Sequence, residues 1–314
     1  MKNNRRFYKQ DLYHLYNRSI DGSLLFYTDT DFIVFASIIF SFSRKYAVRL
    51  SDVCIMYNHF HIAVRADSRE ALTSFYKEIM SQLFRIFNAR PDKVKIKLAR
   101  GKSSAKYDPK KVNNCHLYIG NNPVEKHFCR HAVEYRWNFL KYYNPERILP
   151  EAFLLEKRSE TLEVALAIVR AAVSNEKPLK HSFFDIYENK LEANEWEALK
   201  DYAIRVNNVI DYSDIERTFY SFDDYLALAE VSAGSEYEMK EDNLKEDYSH
   251  YAQLKEQSKA MGFEGNDSRI HESDFDMSGT IRILAFRTSA SNLEISRFLH
   301  IPEVEVQAVT GRRY

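Results

Sequence analysis

Two hydrophobic periods alternate over the first 150 residues, and this alternation limits the fold more than any other feature of the chain. Residues 11–18 (DLYHLYNR) are aromatic and alternate at every second position, as a half-buried strand does. Residues 31–46 (DFIVFASIIFSFSRKY) carry an apolar stripe of helical spacing. Residues 53–64 (VCIMYNHFHIAV) read as a buried strand, and 68–88 (SREALTSFYKEIMSQLFRIFN) as an amphipathic helix opened by Ser68. Strand, helix, strand, helix in so short a unit predicts an α+β sandwich with its helices on one sheet face. A basic, poorly apolar segment follows at 92–112, with Gly101, Ser103 and Ser104 marking a loop. A further helix is expected over 113–122, stopped or kinked by Pro123.

Beyond Pro150 strand-like alternation does not return, and 159–174 and 192–210 predict helices. The expected organisation is an α+β domain over 1–150, a helical and acidic region over 151–276, and a C-terminal helical segment over 277–314. With 314 residues and 45% of them hydrophobic, the chain can build about two cores of ordinary size. It has no apolar run of 18 residues and no apolar stretch behind its basic start, so a membrane partner is not expected and a cytoplasmic location is. Cys54, Cys115 and Cys129 are odd in number and form no CxxC pair, which argues against a disulfide framework and a thiolate zinc site.

A net charge of zero conceals a division between the two halves. Residues 1–150 hold 26 Lys and Arg against 13 Asp and Glu, while 151–314 hold 19 against 32. A polyanionic partner accounts for such a basic half, because Lys and Arg that displace condensed counterions supply most non-specific affinity for nucleic acid. An acid–base contact between the two halves is the blander alternative. The acidic, aromatic stretch 211–276, which includes EYEMKEDNLKEDYS, is a solvated helix face or linker, or else a surface that competes with DNA for the basic half.

His59 and His61 flank Phe60, and on a strand residues i and i+2 share a face, so both imidazoles can reach one metal ion. Tyr118 and Asn122 stand four apart in a predicted helix and therefore also share a face. The Asn122 carbonyl completes a three-ligand set that leaves positions open for a phosphate oxygen. Tyr118 is a candidate covalent nucleophile, although a phenol of pKa about 10 needs a base or nearby positive charge. Each signal alone is also met by ordinary core packing, and the chain has 21 tyrosines.

Four blocks in order resemble the single-tyrosine HUH transposases, in the branch associated with repetitive extragenic palindromes. YHLYNRSIDGSLLF at 13–26 is similar to the family's first strand, and YNHFHIAV at 57–64 to its histidine block, with Tyr57 in place of proline. YIGNNPVEK at 118–126 resembles the tyrosine-helix block, Gly120 and Asn121 being departures, and EYRWNF at 134–139 resembles the next landmark. The resemblance implies a ferredoxin-like HUH domain in which His59, His61 and Asn122 hold a divalent metal, Mg or Mn. It further implies that Tyr118 cuts and rejoins single-stranded DNA through a 5′-phosphotyrosine, on a substrate that forms a hairpin or contains repeats. A homodimer is left open. Two alternatives remain: a domesticated DNA-binding regulator that does not cut, and a metal-dependent nuclease that uses water.

Candidate phosphate contacts are Lys93, Lys95, Lys97, Arg100 and Lys102 in the basic segment, with Arg5, Arg6, Lys9 and Arg18 nearer the start. Near the C terminus, 291–309 has the apolar spacing of a helix-turn-helix, with Ile295 and Leu299 on the first helix and Val306 and Val309 on the second. His300 stands where glycine is usual, and a packed helical hairpin is the other reading of this segment.

Overall fold

A computed structural model describes residues 7–20, 24–88, 96–126, 128–143, 158–231, 249–263, 275–299 and 301–311. Its first elements are β1 (Leu12–Arg18), α1 (Asp29–Lys45), β2 (Arg49–Ile55), β3 (His59–Arg65), α2 (Arg69–Phe87), β4 (Lys102–Lys106) and α3 (Pro109–Glu125). The four strands form one antiparallel sheet in the order β2-β3-β1-β4. A β-α-β-β-α-β sequence with that order is the ferredoxin-like arrangement. It is an α+β domain, and a helical region follows it.

The stretch 53–64 is not one strand. It spans the end of β2 and most of β3, joined by a tight turn that Met56 closes by donating its backbone N–H to the His59 carbonyl at 2.9 Å. The turn makes β2 and β3 neighbours and puts His59 at the first position of its strand. The fourth strand lies at Lys102–Lys106 and takes in Ser103 and Ser104, two of the residues expected to mark a loop, because pairing with β1 holds them extended. Lys97 sits beside an isolated bridge between Ser19 and Leu98. Asp108 caps α3 through the Lys111 N–H, and Pro109 occupies its first turn, where a missing N–H costs nothing. The helix starts earlier than expected and runs through Pro123 to Glu125, since a proline in the last turn breaks only one internal bond.

Helices cover both faces of the sheet, not one. Phe60 of β3 packs on Phe35 of α1, and Asn17 of β1 reaches Tyr76 of α2. The alternate residues of the same strands, His14, His59 and His61, meet Tyr118 and Asn122 of α3. A strand covered on both sides is buried at every position, and β3 is buried from His59 to Val64. The histidines therefore lie in an interior layer.

The helical region continues as α4 (Glu160–Ser174), α5 (His181–Tyr187), α6 (Ala193–Asn207), α7 (Ser213–Phe219) and α8 (Phe222–Val231). Leu162, Leu166, Leu199 and Tyr202 share the largest core with the sheet and α1. Accordingly α1 is buried all round its middle turns, from Asp31 to Ser43, and polar contacts tie its start to the later helices. Lys200 meets Asp29 and His181 meets Asp31, both at 2.8 Å. A smaller cluster joins Leu117 of α3 to Ile215, Phe219, Phe222, Tyr225 and Ala229 of α7 and α8.

A separate core is built by α9 (Ser249–Ala260), α10 (Met277–Arg287), α11 (Asn292–Phe298) and α12 (Glu303–Thr310). Ile295, Leu299 and Val306 are buried in it and Val309 packs against it, matching the apolar spacing. The first turn of α12, the end that a recognition helix offers to bases, carries Glu303 and Glu305. Those carboxylates oppose a phosphate backbone. The run 236–248 and His300 fall outside the described residues. Among the described residues no helix is long and apolar enough to cross a membrane.

Candidate active site

The strand period places His59 and His61 side by side on the face of β3 that α3 covers, with ring centroids 4.9 Å apart and planes 80° apart. Both Nε2 atoms converge on one amide: His59 Nε2 is 3.2 Å from Asn122 Oδ1, and His61 Nε2 is 3.4 Å from Asn122 Nδ2. One helical turn earlier, Tyr118 stands edge-on to the His61 ring at 5.2 Å and 87°. The four residues singled out in two separate sequence blocks thus form one cluster. All are buried, with Tyr118 the most open at 9% exposed.

Three further residues complete the cluster. Asn58 Oδ1 lies 2.8 Å from His59 Nδ1, and His14 Nε2 lies 3.0 Å from His61 Nδ1. Tyr16 lies parallel to the His61 ring at 4.9 Å and 19°. Sequence reasoning missed His14 and Tyr16, although both stand on one face of the first strand by the same i, i+2 rule that selected His59 and His61. That face becomes meaningful only when β1 pairs with β3, which sets Tyr16 opposite His61.

Burial pushes His61 well below the ordinary imidazole range, and the neighbouring His59 and His14 act in the same direction. Burial and the charge of Lys106 push His14 down to about 3. Both are neutral at physiological pH, and neutral imidazole is the metal-binding form. The hydrogen-bond inventory bears on whether a metal fits. Asn58 Oδ1 can only accept, so His59 Nδ1 carries the proton and Nε2 is the unprotonated nitrogen. Its lone pair faces another acceptor, Asn122 Oδ1, at 3.2 Å. Two lone-pair donors that face each other can hold one cation between them, so this donor set fits a divalent ion. Among the described residues no group of three or more His, Cys, Asp or Glu side chains is arranged for a metal, so the candidate set is two imidazoles and one amide.

The cationic candidates divide. Arg18 pairs across the sheet with His59 and Lys102 pairs with Tyr16, so both belong to the strand positions that line the site face. Lys97 and Arg100 are exposed on the approach to β4. Lys9 is not at the site: it pairs with Asp67 at 3.3 Å, beyond the far end of β3. That end is about 20 Å from His59, for six residues of strand. Arg5, Arg6, Lys93 and Lys95 lie outside the described residues.

No protein-family model matches the chain, and no curated protein matches it. Among solved structures, the REP-associated tyrosine transposase bound to a REP hairpin is similar at 18% identity, with a TM-score of 0.38. The match covers 48% of this chain and 89% of that one. A likeness of this size carries no argument, and both the fold and the site rest on the chain's own strand order and residues.

Proposed function

We propose that this protein is a metal-dependent, transposase-like DNA strand transferase that cleaves and rejoins single-stranded DNA through Tyr118. One observation carries the reading: His59, His61 and Asn122 converge within 3.4 Å in a buried layer, with Tyr118 one turn away on the helix that supplies Asn122. Ordinary packing does not require two imidazole nitrogens to converge on one buried amide.

His59, His61 and Asn122 would hold a magnesium or manganese ion. When bound, such an ion polarises the scissile phosphate and stabilises the departing 3′ oxygen. Tyr118 Oη forms a bond to phosphorus as the bond to the 3′ oxygen breaks. The phenol gives up a proton and the leaving oxygen gains one, so the phosphodiester charge is conserved. The product is a 5′-phosphotyrosine, and attack on it by another 3′ hydroxyl rejoins DNA without ATP. Arg18 and Lys102 would meet substrate phosphates, and the exposed rings of Tyr8 and Tyr107 would give bases a surface for stacking.

The test uses the full chain with a 5′-fluorescent or 3′-fluorescent single-stranded oligonucleotide taken from the flank of its gene, in Mn2+ or Mg2+. Wild type should leave the fragment carrying the new 5′ end attached to protein on a denaturing gel, and chelation should prevent it. Tyr118→Phe should abolish the adduct, whereas Tyr16→Phe should retain it because the stacked ring is preserved. Cleavage by wild type with no adduct at any time would assign the chemistry to water. Binding with no cleavage on hairpin and repeat substrates alike would favour a regulator.

A further inference from the structure

We propose that His14 is a positioning residue, holding His61 in the one tautomer that presents Nε2 as a metal ligand. The inference rests on the metal reading above and extends it to a residue on another strand.

The geometry is that of an in-plane hydrogen bond. The two imidazole planes are only 19° apart, and their centroids are separated by 5.2 Å while His14 Nε2 and His61 Nδ1 are 3.0 Å apart. The centroid separation exceeds the nitrogen separation by two ring radii, so the nitrogens lie between the rings and not over them.

The direction of that bond follows from Asn122. Its Nδ2 carries only hydrogens to offer, so His61 Nε2, at 3.4 Å, must accept. A neutral imidazole has a single N–H, which therefore sits on Nδ1 and is donated to His14 Nε2. His14 in turn carries its proton on Nδ1. His59 is set in the same way by a different device, the side chain of its neighbour Asn58. Both candidate ligands thus have Nδ1 occupied by a fixed acceptor and Nε2 turned to one point, the arrangement that orients imidazoles on metals.

The fold makes room for the contact. His14 pairs across the sheet with Ala63, whose single methyl leaves space for the ring to lean toward His61, two positions along β3 on the same face. Tyr16, directly opposite His61, covers its ring by stacking and supplies no in-plane partner. The acceptor role falls to His14.

The experiment measures Mn2+ affinity by calorimetry on the full chain for wild type, His14→Phe, His14→Gln and His61→Ala, with imidazole tautomers read from 15N-labelled wild type by NMR. His14→Phe keeps a flat ring and removes the acceptor, so it should weaken Mn2+ binding by roughly 10- to 100-fold. His14→Gln places an amide oxygen within reach of His61 Nδ1 and should recover most of the loss, which a space-filling role would not produce. Wild-type His61 should carry its proton on Nδ1 before metal is added. A proton on Nε2 overturns the proposal even if every variant misfolds. Loss of Mn2+ in His61→Ala with wild-type affinity in His14→Phe overturns it while leaving the metal reading intact. A wild-type chain that takes up no Mn2+ overturns both.

Discussion

Tyr225 occupies the space that a side chain at position 120 would need: a Cβ built on Gly120 would overlap its hydroxyl and lie 2.9 Å from its Cζ. The same hydroxyl donates to the His116 carbonyl at 3.3 Å, and the next residue, Asn121, donates its amide to the Ala229 carbonyl. Gly120 and Asn121 are the two departures from the transposase-like block. Both are where α8 grips the back of the helix whose front carries Tyr118.

Gly120→Ala tests that grip. Alanine favours a helix interior by about 1 kcal/mol over glycine, whereas overpacking a filled site costs about 1–3 kcal/mol. Tyr225 is fully buried and cannot swing aside, so the variant should melt below wild type. Adding Tyr225→Leu should return part of the loss. A higher melting temperature for Gly120→Ala alone would mean that α8 does not press on α3.

The helices that hold α3 are also anchored to the sheet through charge. Asp214 of α7 accepts from Arg65 Nε of β3 at 2.8 Å and meets Arg217 at 3.3 Å. Burial acts to raise the Asp214 carboxyl, but the bond and charge of Arg65, with smaller contributions from Ser51 and His116, together outweigh it and hold the carboxyl below its ordinary value. A depressed carboxyl contributes stability that is complete above its unfolded pKa of about 3.9 and is lost as pH falls through the folded value. Asp214→Asn should therefore cost roughly 3 kcal/mol near pH 7, leaving Arg65 short of a partner, with the gap to wild type closing at acid pH. Denaturant titrations at several pH values check this, and a gap independent of pH would show that the contact does not act through its charge.

Metal should stabilise the fold only through the two histidines and Asn122. At a free Mn2+ concentration about 100 times its dissociation constant, wild type should gain about 2.7 kcal/mol, seen as a rise in melting temperature. His59→Ala should lose most of the rise. An equal rise in both proteins would place the bound ion elsewhere.

Cations at the site and away from it should separate in salt titrations of single-stranded DNA binding. Lys102→Ala and Arg18→Ala should each lower the slope of log affinity against log salt by about 0.7, the value for one phosphate on a single strand. Lys9→Ala should leave the slope unchanged, because Lys9 is paired with Asp67 beyond the far end of β3. Equal changes for Lys9 and Lys102 would argue for diffuse attraction without a track.

Local backbone geometry alone determined a good part of this protein. Two-residue spacing put His59 beside His61, four-residue spacing put Tyr118 above Asn122, and Ser68 marked the start of α2, because strand and helix periods belong to the chain wherever it is placed. Tertiary structure decided which faces meet. The turn at 56–58 made two strands of one apolar run, and the order β2-β3-β1-β4 brought β1 beside the histidines, so that His14 and Tyr16 became part of the site and Lys9 did not. Placing α3 on the face opposite α1 and α2 closed His59, His61 and Asn122 into one set. The spacing of residues along one strand says nothing about its neighbours in the sheet. Those are chosen by burial of both sheet faces at once, a property of the whole assembled core.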